Sequence, residues 1–261
     1  MSQRVERIVL PTLLIGALLV LWELFIGGEG IAAFPKLHNV LSGLGELMQT
    51  RPGERVPPLI AYSIASVFRV TWGFVLAAAI AIPLGLVMGW YSRWFAALNP
   101  LVQFLRPISP IAWIPIAILM FRNDDPRSIF LIFISTFFPI AVSATAAVQN
   151  IPQVYIRSAQ NFGCTGWRLF KKVVLPAALP QIITGLRIAV GIAWLVVVAA
   201  EMIAVESGLG YLIIDARNAG GRYDLIVAAM MMIGAIGIVL DLLIRKLETF
   251  DEVKWGYARR G

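Results

Sequence analysis

One histidine, His38, and one cysteine, Cys164, stand in 261 residues, which excludes a His/Cys metal cluster and an internal disulfide. Charge is scarce as well. Charged residues make up 14% of the chain and apolar ones 59%, with a mean hydropathy of +0.81, where soluble domains carry about 25% charged and 45–50% apolar residues. A soluble globular protein is therefore excluded in favour of a chain whose missing polar surface is replaced by lipid. No G-x-x-x-x-G-K-[ST] phosphate loop occurs, so the chain cannot cradle ATP phosphates in that way. SGLGYLI, Ser207 to Ile213, lacks the third glycine and the strand context of a dinucleotide fingerprint and reads as a turn. Internal repeats, low-complexity tracts and domain linkers are also missing.

What is present is a series of apolar runs, each near the roughly 20 residues that cross a 30 Å hydrocarbon layer as helix. They lie at Ile8 to Ile26, Val70 to Ser92, about Asn99 to Phe121, Ile129 to Val148, about Ile182 to Val205 and about Leu225 to Ile244. The first has no small-x-small cleavage site and reads as an uncleaved span. Pro83 is expected to kink the second. Arg106, Pro107, Pro110 and Pro115 crowd the third, so an irregular stretch is expected there. Between the first two, Val40, Leu41, Leu44, Leu47 and Met48 recur at near-helical spacing, which predicts an amphipathic helix at the membrane surface. The fold class is thus an all-α polytopic membrane protein of about six transmembrane helices. Residues 1–58 hold the first helix and the external amphipathic segment, residues 59–250 the transmembrane core, and residues 251–261 a cytoplasmic tail.

The net charge of +7 follows topology. With the N-terminus inside, the inner segments hold Arg4, Arg7, Arg93, Arg157, Arg168, Lys171, Lys172, Arg245, Lys246, Lys254, Arg259 and Arg260. The outer segments hold only Lys36, Arg51, Arg55, Arg122, Arg127, Arg217 and Arg222. This asymmetry places both termini in the cytoplasm and accounts for the basic balance without a nucleic-acid partner; the lipid bilayer is the partner it implies.

The inner segment 149–181 is far longer than a passive connection needs. Pro152 suits the first turn of a short helix and Gly163 its end, while Thr165 suits the cap of a second helix that Pro176 is expected to stop. This loop resembles the hallmark of the inner-membrane permease subunits of binding-protein-dependent ABC importers: Glu-Ala-Ala, three residues, Gly, nine residues, then Ile-x-Leu-Pro. The pattern falls on Arg157, Ser158, Ala159, Gly163, Val173, Leu175 and Pro176, with full agreement in spacing and with Arg157 and Ser158 in place of Glu and Ala. FLRPISPIAWIPIAILMF (Phe104 to Phe121), LPAALPQIITGLRIAVGIAW (Leu175 to Trp194), VAAEM (Val198 to Met202) and SGLGYLI are similar to permeases of the nitrate, bicarbonate, cyanate, taurine and sulfonate group. NDDPRSIFLIFIS (Asn123 to Ser135) leans toward the nitrate and bicarbonate members.

The resemblance implies a type I ABC importer transmembrane domain in a bacterial inner membrane, moving a small anion by alternating access. A nitrate-type oxyanion, bicarbonate or cyanate is favoured over taurine or an alkanesulfonate. It implies no catalysis and no cofactor in this chain, with ATP and Mg held by partner ABC ATPase subunits. It further implies a periplasmic or lipid-anchored substrate-binding protein and a second permease copy forming a homodimer. The coupling residues it points to are Arg157, Ser158, Ala159, Gln160, Gly163, Leu175 and Pro176.

Candidates for the translocation path are the hydroxyls of Ser109, Ser135 and Thr136 and the intramembrane charges Arg187 and Glu201. Each has a structural alternative, back-bonding for the hydroxyls and snorkelling or interhelical hydrogen bonding for the charges. Arg187 and Glu201 lie 14 residues apart, roughly 21 Å along one helix, so each needs another partner. Arg69 and Asp241, near span ends, read as structural. An ion-coupled secondary carrier or channel is the alternative class, disfavoured by the lack of an inverted repeat; an intramembrane enzyme is disfavoured by the lack of a His-based or paired-acid constellation.

Overall fold

The computed structural model describes residues 3–25, 35–50, 53 and 55–247. The 251–261 tail lies outside them. Among the described residues there is no strand. The chain begins with α1 (Gln3–Phe25), which carries the first apolar run and leaves Leu10, Leu13, Leu14 and Leu18 more than half exposed, a surface suited to lipid. Its end is tied to the next element: Trp22 Nε1 donates to Pro35 O at 3.2 Å and Leu37 N to Glu23 Oε2 at 2.9 Å.

The amphipathic spacing forms α2 (Leu37–Leu47), which buries Val40, Gly43 and Leu47 against the start of the last helix, α11 (Tyr223–Leu247). Arg222 clamps this contact, pairing with Glu46 at 2.6 Å and Asp224 at 2.8 Å, and those carboxylates, Asp224 foremost, hold its guanidinium charged beyond the usual range. The helix predicted at the membrane surface therefore rests on protein through Val40, Leu44 and Leu47, while Leu41 and Met48 of the same apolar set stay exposed.

Four helical runs are long and apolar enough to cross a membrane: α3 (Pro58–Trp90), α6 (Asp124–Gln149), the run Gly166–Ala204, and Tyr223–Lys246. A further apolar pair, α4 (Ser92–Leu105) and the stretch Pro110–Met120, is bent by 89° and makes a fifth crossing if taken as one broken span; the second piece begins as a 3-10 turn and continues as α5 (Ile114–Met120). The break falls where the prolines predict irregularity. Ser109, which precedes Pro110, is held extended at φ −56°, ψ 132°, the conformation a residue before proline prefers. Pro83, expected to kink α3, lies inside the helical run Pro58–Trp90, which continues through it.

α3 packs most extensively on α6, and α6 on α9 (Leu175–Ala204). Small residues set their separation: a Cβ on Gly73 or Gly85 would collide with Ile132 or with Ala144 of α6. The main core joins α2, α3, α6, α9 and α11, and a second cluster of Leu86, Ala144, Ala147, Val148, Ile151, Val174, Ala178 and Ile182 closes the inner end.

Candidate functional site

The segment between α6 and α9 leaves that inner cluster at Ile151, 6% exposed, and returns at Val174, 0% exposed. Between them lies α7 (Gln153–Asn161), which buries no residue at all. Pro152 precedes it with an extended backbone, at φ −57° and ψ 128°, and its end is a Schellman cap. Cys164 N donates to Ala159 O at 2.9 Å and Gly163 N to Gln160 O at 2.9 Å, with Gly163 at φ +77°. Ala159, Gln160 and Gly163, chosen from sequence spacing, are thus the residues that build the corner, and glycine meets the left-handed backbone without steric cost.

The return limb is anchored by aromatic rings. Trp167 stacks on Phe170 at 5.3 Å, and Phe170 meets Trp90 of α3 edge-on at 6.0 Å. After α8 (Gly166–Leu169) the chain takes a π-helical turn over Phe170–Val174, where Leu175 N donates five residues back to Phe170 O. Pro176 therefore does not stop the second helix, as expected from its lack of an N–H. The widened turn lies immediately before the proline, and the run continues to Ala204. Thr165 occupies the cap position, but its side chain makes no cap bond.

On the exposed element Arg157 and Ser158 face solvent, as do Val154 at 68% and Phe162 at 90% exposure. Val154 and Phe162 are additions to the site, and Tyr155 and Trp167 are also exposed, at 40% and 74%; with apolar residues spread along the whole loop, the sequence alone did not single them out. Arg157, Arg168, Lys171 and Lys172 have no acidic partner among the described residues. No Asp or Glu occurs between Asp125 and Glu201, so the field of this loop is wholly positive.

The five path candidates are not brought together. Ser135 and Thr136 both donate to Ile132 O, at 2.8 and 2.7 Å, and Ser109 is exposed at the 89° break. Arg187 forms a two-pronged pair with Asp241, 2.8 and 3.1 Å, in place of snorkelling. Glu201, 0% exposed, lies near the outer end of α9 and pairs with Arg69, 2% exposed, at 2.9 Å.

Around this pair a polar cluster closes the turn between α9 and α10 (Leu209–Asn218). Arg69 also donates from Nε to Asp125 Oδ1 at 2.7 Å, from Nη1 to Ser207 O at 2.8 Å and from Nη2 to Ser207 Oγ. Glu201 Oε2 accepts from Ser66 Oγ at 2.8 Å and from Gly210 N at 3.0 Å. Gly208 sits at φ +102°, and a Cβ there would strike the Glu201 carboxylate. SGLGYLI is accordingly a turn only at its first two residues and a helix thereafter. Outside the cluster a cleft of about 590 Å³ opens between Ala65, Arg69, Arg122, Asn123, Asp124, Asp125 and Ser207.

The model of the binding-protein-dependent transport system inner membrane component family matches residues 81–249. The chain belongs to this family. A putative ABC transporter permease protein of Methanocaldococcus jannaschii is 41% identical over 249 residues, 95% of this chain and 91% of that protein. The nitrate import permease protein NrtB of Synechocystis is 35% identical over 252 residues, covering 93% and 89%. The bicarbonate transport system permease protein CmpB of Synechococcus elongatus is 37% identical over 262 residues, covering 94% and 90%. Among solved structures, the inward-facing MetNI methionine ABC transporter matches with a TM-score of 0.64 at 15% identity, over 72% of this chain and 94% of the other. A bacterial alginate ABC transporter, solved with its pentasaccharide-bound periplasmic protein, matches with 0.60 at 17% over 95% and 98%. The fold is that of a type I ABC importer transmembrane domain, and this family member is a multi-pass inner-membrane permease subunit.

Proposed function

We propose that this permease subunit imports a small oxyanion, nitrate-type, bicarbonate or cyanate, by alternating access driven by ATP hydrolysis on separate ATPase subunits. The similarity to NrtB and CmpB over about nine-tenths of the chain supports the substrate class. The observation that carries the coupling role is α7, a helix with no fully buried residue in a segment that the inner core holds at Ile151 and Val174, as an element built to be received by another protein requires. Arg157, Ser158, Ala159, Gln160 and Gly163 form the docking element, and Leu175 and Pro176 pass its displacement into α9. A substrate-binding protein delivers the anion from outside, and a second copy of this chain completes the path. ATP and Mg belong to the ATPase partner.

Co-purification with the native ATPase and binding protein, followed by identification of the bound anion, tests class and substrate together. In vesicles, uphill uptake is expected only with the ATPase and ATP; uphill accumulation by the chain alone under an ion gradient refutes the proposal in favour of a secondary carrier.

A further inference from the structure

α7 is spliced between the inner ends of α6 and α9, so a displacement it receives enters the membrane through those two helices. Their outer ends lie about 39 Å away, at 1.5 Å per residue over the 26 residues of α6 and the same distance from Leu175 to Glu201. Along the intervening length α3, α6 and α9 meet mainly through buried Ala77, Ala81, Ile140, Ala141 and Ala189, apolar contacts that permit shear, with one long hydrogen bond from Ser143 Oγ of α6 to Gln181 O of α9 at 3.3 Å.

At the outer end the contact changes in kind. Arg69 commits four of its five N–H groups to Asp125 of α6, Glu201 of α9 and Ser207 of the turn, and both oxygens of Glu201 are used by α3 and α10. A buried ion pair adds little as adhesive, since apolar side chains of equal volume hold a fold as well. What it adds is register, because any slip leaves a buried charge unpaired, and that penalty is steep inside a membrane. With their hydrogen-bonding capacity turned on each other, Arg69 and Glu201 have little left for a permeating anion.

From this we infer that Arg69 and Glu201 are positioning residues for transport. They lock the outer ends of α3, α6 and α9 and the 205–208 turn into one rigid body, so that movement entering at α7 reaches the outer mouth instead of dissipating as shear. The inference rests on the importer reading above.

Two measurements test it, both on the permease assembled with its ATPase. The double replacement Arg69→Met/Glu201→Met keeps volume and leaves neither charge of the pair orphaned. It is expected to retain assembly and basal ATP hydrolysis while the ATP spent per anion imported rises about tenfold and stimulation by loaded binding protein falls by a similar factor. A merely structural role predicts wild-type stoichiometry once the complex has assembled, and that result overturns the inference. The second measurement keeps the cluster intact. With Cys164→Ser, spin labels at Ile60 on α3 and Asn218 on α10 are compared in nucleotide-free and ATP-trapped complexes. A rigid outer body holds their separation within about 2 Å, and a change of more than about 5 Å overturns the inference even where the double variant does not assemble. Failure of the wild-type chain to bind the ATPase overturns the importer reading and this inference together, whereas retained binding with an altered separation overturns the inference alone.

Discussion

Gly163→Val isolates the cap of α7. Gly163 sits at φ +77° with open space where a Cβ would go, so the substitution meets no neighbour and its effect is conformational. The left-handed backbone costs an L-residue roughly 1–2 kcal/mol, and a β-branched residue the upper part of that range. The alternative, unwinding the corner, forfeits the bonds from Gly163 to Gln160 and from Cys164 to Ala159, each a net contribution of about 0.5–1.5 kcal/mol. The cheaper of the two routes removes about 1–2 kcal/mol from a nine-residue helix that fully buries no side chain and whose contact with the inner cluster is the half-buried Ile156. At about 1.4 kcal/mol per factor of ten, the ratio of capped to open corner falls roughly five- to thirtyfold, and apparent ATPase affinity falls by up to the same factor. Titration of purified ATPase onto the detergent-solubilised permease measures this, with Gly163→Asn as the milder control because Asn tolerates the left-handed region. Thermal unfolding of the membrane portion is expected to stay unchanged. Wild-type affinity in Gly163→Val refutes the assignment of this corner to docking.

Ala159→Trp places bulk on the half-buried side of the same helix and is expected to reduce ATPase association or to uncouple hydrolysis from uptake; normal coupling means docking occurs elsewhere. Arg157→Glu introduces the one acid in a loop whose field is wholly positive. It is expected to weaken coupling in a manner that added salt attenuates, read from uptake against ionic strength; improved coupling shows that the partner surface is not acidic. A cysteine at Asn123 should label from outside and one at Thr165 from inside, and the reverse pattern refutes the topology.

The corner after α7 was legible in the sequence because its chemistry is local. Proline before a short helix, glycine at a left-handed corner and a fixed spacing to Leu175 and Pro176 act over neighbouring residues, and the Schellman cap uses those positions. Pro176 was misjudged as a stop because a missing N–H is visible in sequence, whereas the π-helical turn that accommodates it is set by Phe170 and Val174 packing into the inner core. The crowded prolines of 106–115 signalled irregularity, but the 89° bend depends on how α5 meets α6 and α9.

The sequence by itself determined that this chain lives in a membrane and where the short helix α7 begins and ends. Hydrophobic length and turn chemistry are properties of contiguous residues. Only the tertiary structure decided the partners of the intramembrane charges. Glu201 and Arg69 lie 132 positions apart, and Arg187 and Asp241 are separated by 54. Nothing local distinguishes those pairings from snorkelling, because a charge in a bilayer must find whichever opposite charge the packing of distant helices brings within reach.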